Sequence, residues 1–248
     1  MDFSYQLYSS RNFPPLDEAL GRIAKAGYKQ VEGFGGLYAD AAGLAASVKK
    51  HGLSMPTGHF GLSQLKDTSA ALKIAETLGM KMLYCPAIPK EERSQGEAKW
   101  VELGETLAQL GETFRKNGFG FGWHNHDFEF HPTESGRLPM DILLETAPNN
   151  EWEMDVAWVV RGGQDPAAWI KKYGPRINAV HVKDIAPAGT NVNEDGWADV
   201  GHGTIDWQSL QATIKAQTNV RYWVMEHDNP ADDRRFAERS FAAVSAWK

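Results

Sequence analysis

The sequence holds one cysteine, Cys85, in 248 residues. That excludes an intrachain disulfide framework and any metal site built from CxxC pairs, and leaves Cys85 to be read as an inert packed thiol. Basic residues are not in excess: 26 Lys and Arg face 32 Asp and Glu, for a formal net charge of −6. An acidic chain without a basic stripe suits a phosphate backbone poorly, so nucleic acid is not expected as a partner. No apolar run approaches the roughly 20 residues that a membrane span needs. No glycine-rich phosphate fingerprint follows the first strand-like run, and no stretch is of low complexity. Residues 1–10 are polar, with no basic segment leading into an apolar one, so the chain reads as cytoplasmic and free of a secretory signal.

What the sequence does contain is an ordinary globular balance, 42% hydrophobic and 23% charged, with an unusual nine tryptophans. One pattern recurs: a short strand-like run, then a helix-like one. Strands are expected at 3–8, 30–34, 54–60, 81–87, 119–126, 152–156, 177–182 and 222–226. Helices are expected at 15–26, 39–51, 68–78, 96–117, 140–147, 166–173, 207–217 and 232–247, with Gly27, Gly52, Gly79 and Gly118 as stops and Asp165 and Asp206 as caps. Strict alternation implies a parallel sheet with crossover helices. Eight units in this length predict a single-domain (β/α)8 TIM barrel over residues 1–248, with a doubly wound open sheet as the rival. The one long irregular stretch, 185–204, is expected to be functional or mobile.

In such a barrel the reaction site lies at the C-terminal strand ends. Ionisable residues gather there: Glu32 on the second strand, His59 on the third, His124 and His126 on the fifth, Asp155 on the sixth, His181 and Lys183 on the seventh, and Glu226 on the eighth. His227 and Asp228 follow directly. Burying such groups together is costly unless they pair or bind a cation. Mixed imidazole and carboxylate ligands suit one divalent ion, Mn, Co, Fe, Ni, Zn or Mg, and leave its identity open. Strand residues two apart face the same way, so His124 and His126 share a face and Asn125 points away.

These residues sit in segments that resemble a known family. WHNHDFEF at 123–130, DVAWVVRGGQDP at 155–166, HVKD at 181–184 and MEHDNP at 225–230, with GHFGL at 58–62, are similar to the xylose-isomerase-like sugar isomerase/epimerase barrels. That superfamily includes tagatose epimerases, inosose dehydratases and endonuclease IV. The resemblance implies one divalent metal held by residues of strands five to eight, and it places Asp155, His181 and Glu226 in the last three positions. The family has Glu on strand five. Here no Glu stands there; His124 takes its place, with His126 as the alternative ligand.

The resemblance implies a metal-dependent isomerase or epimerase of a ketose or keto-sugar, working by proton abstraction. Glu226 is expected as base, with His124 or His126 as its partner in proton transfer. Substrate contacts are expected from Glu32, His59, His126, Lys183 and Trp158, with Trp123, Trp197 and His202 as further candidates. The runner-up is a lyase of the same family, an inosose-type dehydratase or a 3-keto-glycoside eliminase. The partner is then a small sugar or keto-sugar, and the chain a possible homo-oligomer. Hydrolysis is disfavoured: the HxH pair of amidohydrolases ends the first strand, and the charge opposes DNA. A sugar-binding barrel without catalysis would lack the metal.

Overall fold

Among residues 2–247, which the computed structural model describes, eight parallel strands close into a barrel. They are β1 (Phe3–Gln6), β2 (Gln30–Phe34), β3 (Ser54–His59), β4 (Met82–Cys85), β5 (Gly120–His124), β6 (Glu151–Asp155), β7 (Ile177–Val182) and β10 (Tyr222–Met225); a small antiparallel hairpin, β8 (Asp184–Ile185) with β9 (Trp197–Ala198), follows β7. Each barrel strand pairs with its sequence neighbours, and β1 closes on β10 with Tyr5 opposite Met225. The helices are α1 (Leu16–Ala26), α2 (Ala41–Lys50), α3 (Leu62–Lys66), α4 (Thr68–Leu78), α5 (Glu97–Lys116), α6 (Pro139–Thr146), α7 (Val156–Arg161), α8 (Pro166–Tyr173), α9 (Trp207–Gln217) and α10 (Asp233–Ser245). This is the TIM barrel that the alternation predicts. No described helix is long and apolar enough to cross a membrane.

The punctuation residues act as their chemistry requires. α4 ends at Gly79, which takes a left-handed φ of 71° that a side chain would disfavour. Asp165 accepts from Ala167 N at 3.0 Å to start α8, and Asp206 accepts from Ser209 N at 3.1 Å to start α9. On β5, a Cβ on Gly122 would stand 2.4 Å from the Glu151 carbonyl oxygen, so the close approach of β5 to β6 demands glycine. The apolar stripe of α5, Trp100, Leu103, Leu107, Leu110 and Phe114, is buried. Each such side chain contributes roughly 1.5–3 kcal/mol by leaving water.

The structure departs from the sequence reading at several ends. β1 stops at Gln6, and residues 7–10 form a 3-10 turn rather than more strand. β5 stops at His124, two residues early. The apolar run VAWVVR after Asp155 forms α7, because the Asp155 side chain caps it and turns the chain, with Oδ1 accepting from Trp158 N at 2.9 Å.

The barrel interior is layered. Its lower part is apolar, with Met82, Tyr84 and Ala179 packed together. Above them the inward residues are polar. On β6, Trp152 and Met154 join the hydrophobic core, while the alternate residues Glu153 and Asp155 face inward and meet side chains from other strands.

Candidate active site

Four strand ends bring four side chains to one point. Register sets this up: Asp155 stands beside His181 across β6–β7, and His181 beside Val224, two residues before Glu226, across β7–β10. Ligand atoms of His124, Asp155, His181 and Glu226 all lie within 4.8 Å of one another, and all four residues are buried. His181 Nδ1 is 3.0 Å from Glu226 Oε2 and 3.9 Å from Asp155 Oδ2. Asn125, turned away as its position predicts, ties the two strand ends: its Oδ1 accepts from Asp155 N at 3.0 Å, and its Nδ2 donates to Asp155 O at 3.1 Å.

The fit to a divalent ion rests on these donors. Asp155 Oδ1 is occupied in capping α7, but Oδ2 is buried without a hydrogen-bond partner among the described residues. An orphaned carboxylate oxygen in a cluster of two imidazoles and a second carboxylate is what a cation satisfies. Burial pushes the Asp155 carboxyl up to about 7, partly offset by Lys183 and His181. Burial, and then His181, pushes His124 down to about 3, so its ring is neutral, as a ligand must be. Burial would raise Glu226 too, but Lys183 and His181 outweigh it and hold that carboxyl well below the usual range.

A second polar layer lies directly beneath. Glu153 Oε2 is 2.5 Å from His59 Nε2, 3.1 Å from His124 Nδ1 and 3.3 Å from His181 Nε2. Glu32 Oε1 is 2.8 Å from His181 Nε2, 3.2 Å from His59 Nε2, and accepts from Gln6 Nε2 at 2.7 Å. Burial would raise the Glu153 carboxyl, but His181 and His59 hold it well below the usual range. Glu32 is raised instead, by burial and then by the charge of Glu153. Burial would lower His59, but Glu32 and Glu153 outweigh it and raise it, so its imidazolium form is favoured. Glu153 escaped the sequence reading. Its signal is spacing: it stands two residues before Asp155, on the same face of the strand.

Above the cluster opens a cleft of about 430 Å³. His59, His124, His126 and Glu226 form its polar floor, and Tyr8, Phe34, Pro86 and Trp158 are among its walls. Arg11, not singled out by sequence, stacks 3.8 Å over the Tyr8 ring and donates to the Asp228 carbonyl at the rim. Thus His126, His59 and Trp158 face the cleft. Burial, then His124, holds His126 well below its ordinary pKa, and its Nδ1 has no partner among the described residues.

Other sequence candidates sit elsewhere. Glu32 and Lys183 are fully buried and not part of the wall. Lys183 Nζ contacts Asp228 Oδ2 at 2.6 Å and Glu226 Oε2 at 3.3 Å, under the rings of Trp158 and Trp197 at 4.8 and 4.2 Å. Trp123 donates to Glu129 Oε1 at 2.9 Å, beneath the His126 loop. His227 is buried with Nε2 3.2 Å from Glu194. His202 is exposed, and Cys85 is buried, its thiol pushed up to about 12 by burial.

The long connection after β7 is pinned rather than loose. Asp184 accepts from the backbone N–H of Ile185 at 2.9 Å, Gly201 at 3.0 Å, Gly203 at 3.1 Å and Ile205 at 3.1 Å. From α10, Arg235 pairs with Glu194 at 2.6 Å and Asp199 at 3.1 Å. The hairpin so held places Trp197 against Trp158 and Lys183.

Comparison with known proteins agrees with the barrel fold. The family model described as xylose isomerase-like TIM barrel matches residues 20–243. The chain is 27% identical over 144 residues to an inosose dehydratase of Clostridium botulinum (strain Alaska E43 / Type E3), covering 52% of this chain and 47% of that relative. The chain thus spans about half the length of this curated relative. A sugar phosphate isomerase/epimerase from Parabacteroides distasonis ATCC 8503 superposes with a TM-score of 0.81 at 21% identity, over 99% of this chain and 93% of that one. The IOLI protein, solved with a zinc atom bound, superposes with a TM-score of 0.72 at 16% identity, over 99% and 97%. At these identities the two structures share the fold with this chain.

Proposed function

Because the chain belongs to the xylose isomerase-like TIM barrel family, we propose that it is a divalent-metal-dependent lyase acting on a small polyhydroxylated ketone. One observation carries the reading: His124, Asp155, His181 and Glu226 converge on one point beneath a cleft that His124 and Glu226 line, with Asp155 Oδ2 buried and without a hydrogen-bond partner among the described residues. These four residues would hold the ion. When bound, a divalent ion there polarises a substrate carbonyl and stabilises negative charge on its oxygen. Glu226 is the base. It faces the cleft, and Lys183 and His181 keep it ionised, so it takes the proton from the carbon beside the carbonyl. His59, favoured as imidazolium and facing the same cleft, gives a proton to the departing oxygen.

Elimination is supported by this carboxylate–imidazolium pair and by the dehydratase name of the curated relative. Isomerisation or epimerisation shares the first step and returns the proton instead. It draws support from His126, a neutral imidazole that lines the cleft. The test is incubation of the metal-loaded protein with a panel of keto-inositols and ketoses in deuterated water, followed by mass spectrometry. Loss of water is expected. Deuterium in a product of unchanged composition would replace the lyase with the isomerase. Absence of both outcomes, from protein shown to hold one equivalent of metal, would sink the proposal.

A further inference from the structure

Glu153 has a place in the site that its role as a partner of His59 does not explain. Its Oε2 meets three imidazoles, while Oε1 is buried without a hydrogen-bond partner among the described residues. A simple Glu–His pair does not require one oxygen to face three rings and the other none. Two of the three rings have a second carboxylate on the same nitrogen: His181 Nε2 and His59 Nε2 both reach Glu32. For His124, Glu153 is the only carboxylate within ion-pair distance among the described residues, 3.1 Å from Nδ1. That nitrogen is buried and has no hydrogen-bond partner among the described residues, so its tie to Glu153 is one of charge and distance, and Nε2 is left toward the cleft that His124 lines.

We infer that Glu153 is the positioning residue of His124: its carboxylate, 3.1 Å from Nδ1, draws the ring proton to that nitrogen and so favours the tautomer whose Nε2 presents its lone pair to the ion. The inference rests on the metal reading above. Histidine ligands depend on such a partner in general, because a ring free to rotate or change tautomer offers the metal the wrong atom for part of the time. Strand geometry makes the arrangement natural. His124 stands beside Glu153 across β5–β6, and Glu153 lies one inward step below Asp155.

Two measurements test it. The first is nitrogen NMR of the wild-type protein, labelled at histidine and loaded with Zn(II). His124 should be protonated at Nδ1 and metal-bound at Nε2. The second is Zn(II) affinity by competition with a fluorescent chelator. E153Q should weaken binding about 10–100-fold, and most of that loss should vanish in a H124A background. Binding of the ion through His124 Nδ1 would overturn the inference and leave the metal reading intact. So would an E153Q affinity equal to wild type, or an equal loss with and without His124. If E153Q does not fold, the wild-type spectrum alone decides. A wild-type chain that takes up no divalent ion overturns both the metal reading and this inference.

Discussion

Lys183 Nζ lies 3.3 Å from Glu226 Oε2, and no part of the lysine is exposed. Burial would lower its pKa, but Asp228, Glu226 and Asp155 raise it, so the charge stays. The lysine thus stands in the interior as a permanent neighbour of the candidate metal ligands. Replacing it with methionine removes the cation from the buried Glu226 and Asp155 and from the half-buried Asp228, which costs about 3–5 kcal/mol. A divalent ion restores part of that charge balance. The melting temperature of K183M should therefore fall, and should rise more on adding Zn(II) or Mn(II) than that of wild type. Equal shifts in the two proteins would count against the assignment of the site.

Metal uptake should depend on pH through Asp155. Without metal its carboxyl is held up to about 7, chiefly by burial. A ligand must release its proton, and so must His181, which burial would lower but Glu153 and Glu226 hold well above its ordinary pKa, so affinity falls with pH across the range from 8 to 6, by about tenfold per pH unit or more. Chelator competition at pH 6 and pH 8 measures this. An affinity that stays flat over that range would contradict the raised carboxyl.

Glu129 makes a separate prediction about stability. It is buried beneath the His126 loop, with Oε1 accepting from Trp123 Nε1 and Oε2 from His126 N, both at 2.9 Å. Burial still pushes it up to about 8 against an ordinary 4.5. The folded state thus keeps a proton that the unfolded chain loses. That contribution is complete below pH 4.5 and is lost as pH rises through about 8. Gln at this position stays neutral throughout. Between pH 5 and pH 9, wild type should lose roughly 2–4 kcal/mol relative to E129Q in urea unfolding. Parallel pH profiles would refute it.

Asp184 should govern the long connection after β7. Its carboxylate accepts four backbone N–H groups between Ile185 and Ile205. Removing an acceptor that leaves several donors unpaired costs roughly 1–3 kcal/mol per buried group. D184A is expected to become sensitive to limited proteolysis within residues 186–204, with the rest of the barrel intact. A cleavage pattern like that of wild type would show that Arg235 suffices to hold the loop.

Much of this was legible in the sequence. The eight strands and their helices follow from hydrophobic period and from capping residues such as Gly79 and Asp206. The four-residue cluster follows from placing polar residues at strand ends. What was not legible depends on contacts across the barrel. Glu32 reads as a strand end but stands in the middle of β2, which runs on to Phe34, and Lys183 follows β7; both are buried below or beside the cleft, because depth depends on where each strand stops and on stagger between strands. Trp197 lies on β9, whose path is set by Asp184 of its own hairpin and by Arg235 on α10. The helix after Asp155 is apolar enough to pass for strand, and only the side-chain cap turns it. His202 remains outside, since the loop is held back by those same bonds.

The two oxygens of Asp155 have separate duties, Oδ1 in the helix cap and Oδ2 in the cluster. This bears on how an inert form for trapping a bound substrate should be built. Truncation to alanine removes the cap along with the candidate ligand, at about 0.5–2 kcal/mol, and frees the segment that carries Trp158. Asparagine retains an acceptor for Trp158 N and withdraws only the charge. A complex captured on D155N would therefore preserve the cleft wall, whereas one captured on D155A would show a substrate resting against a displaced surface.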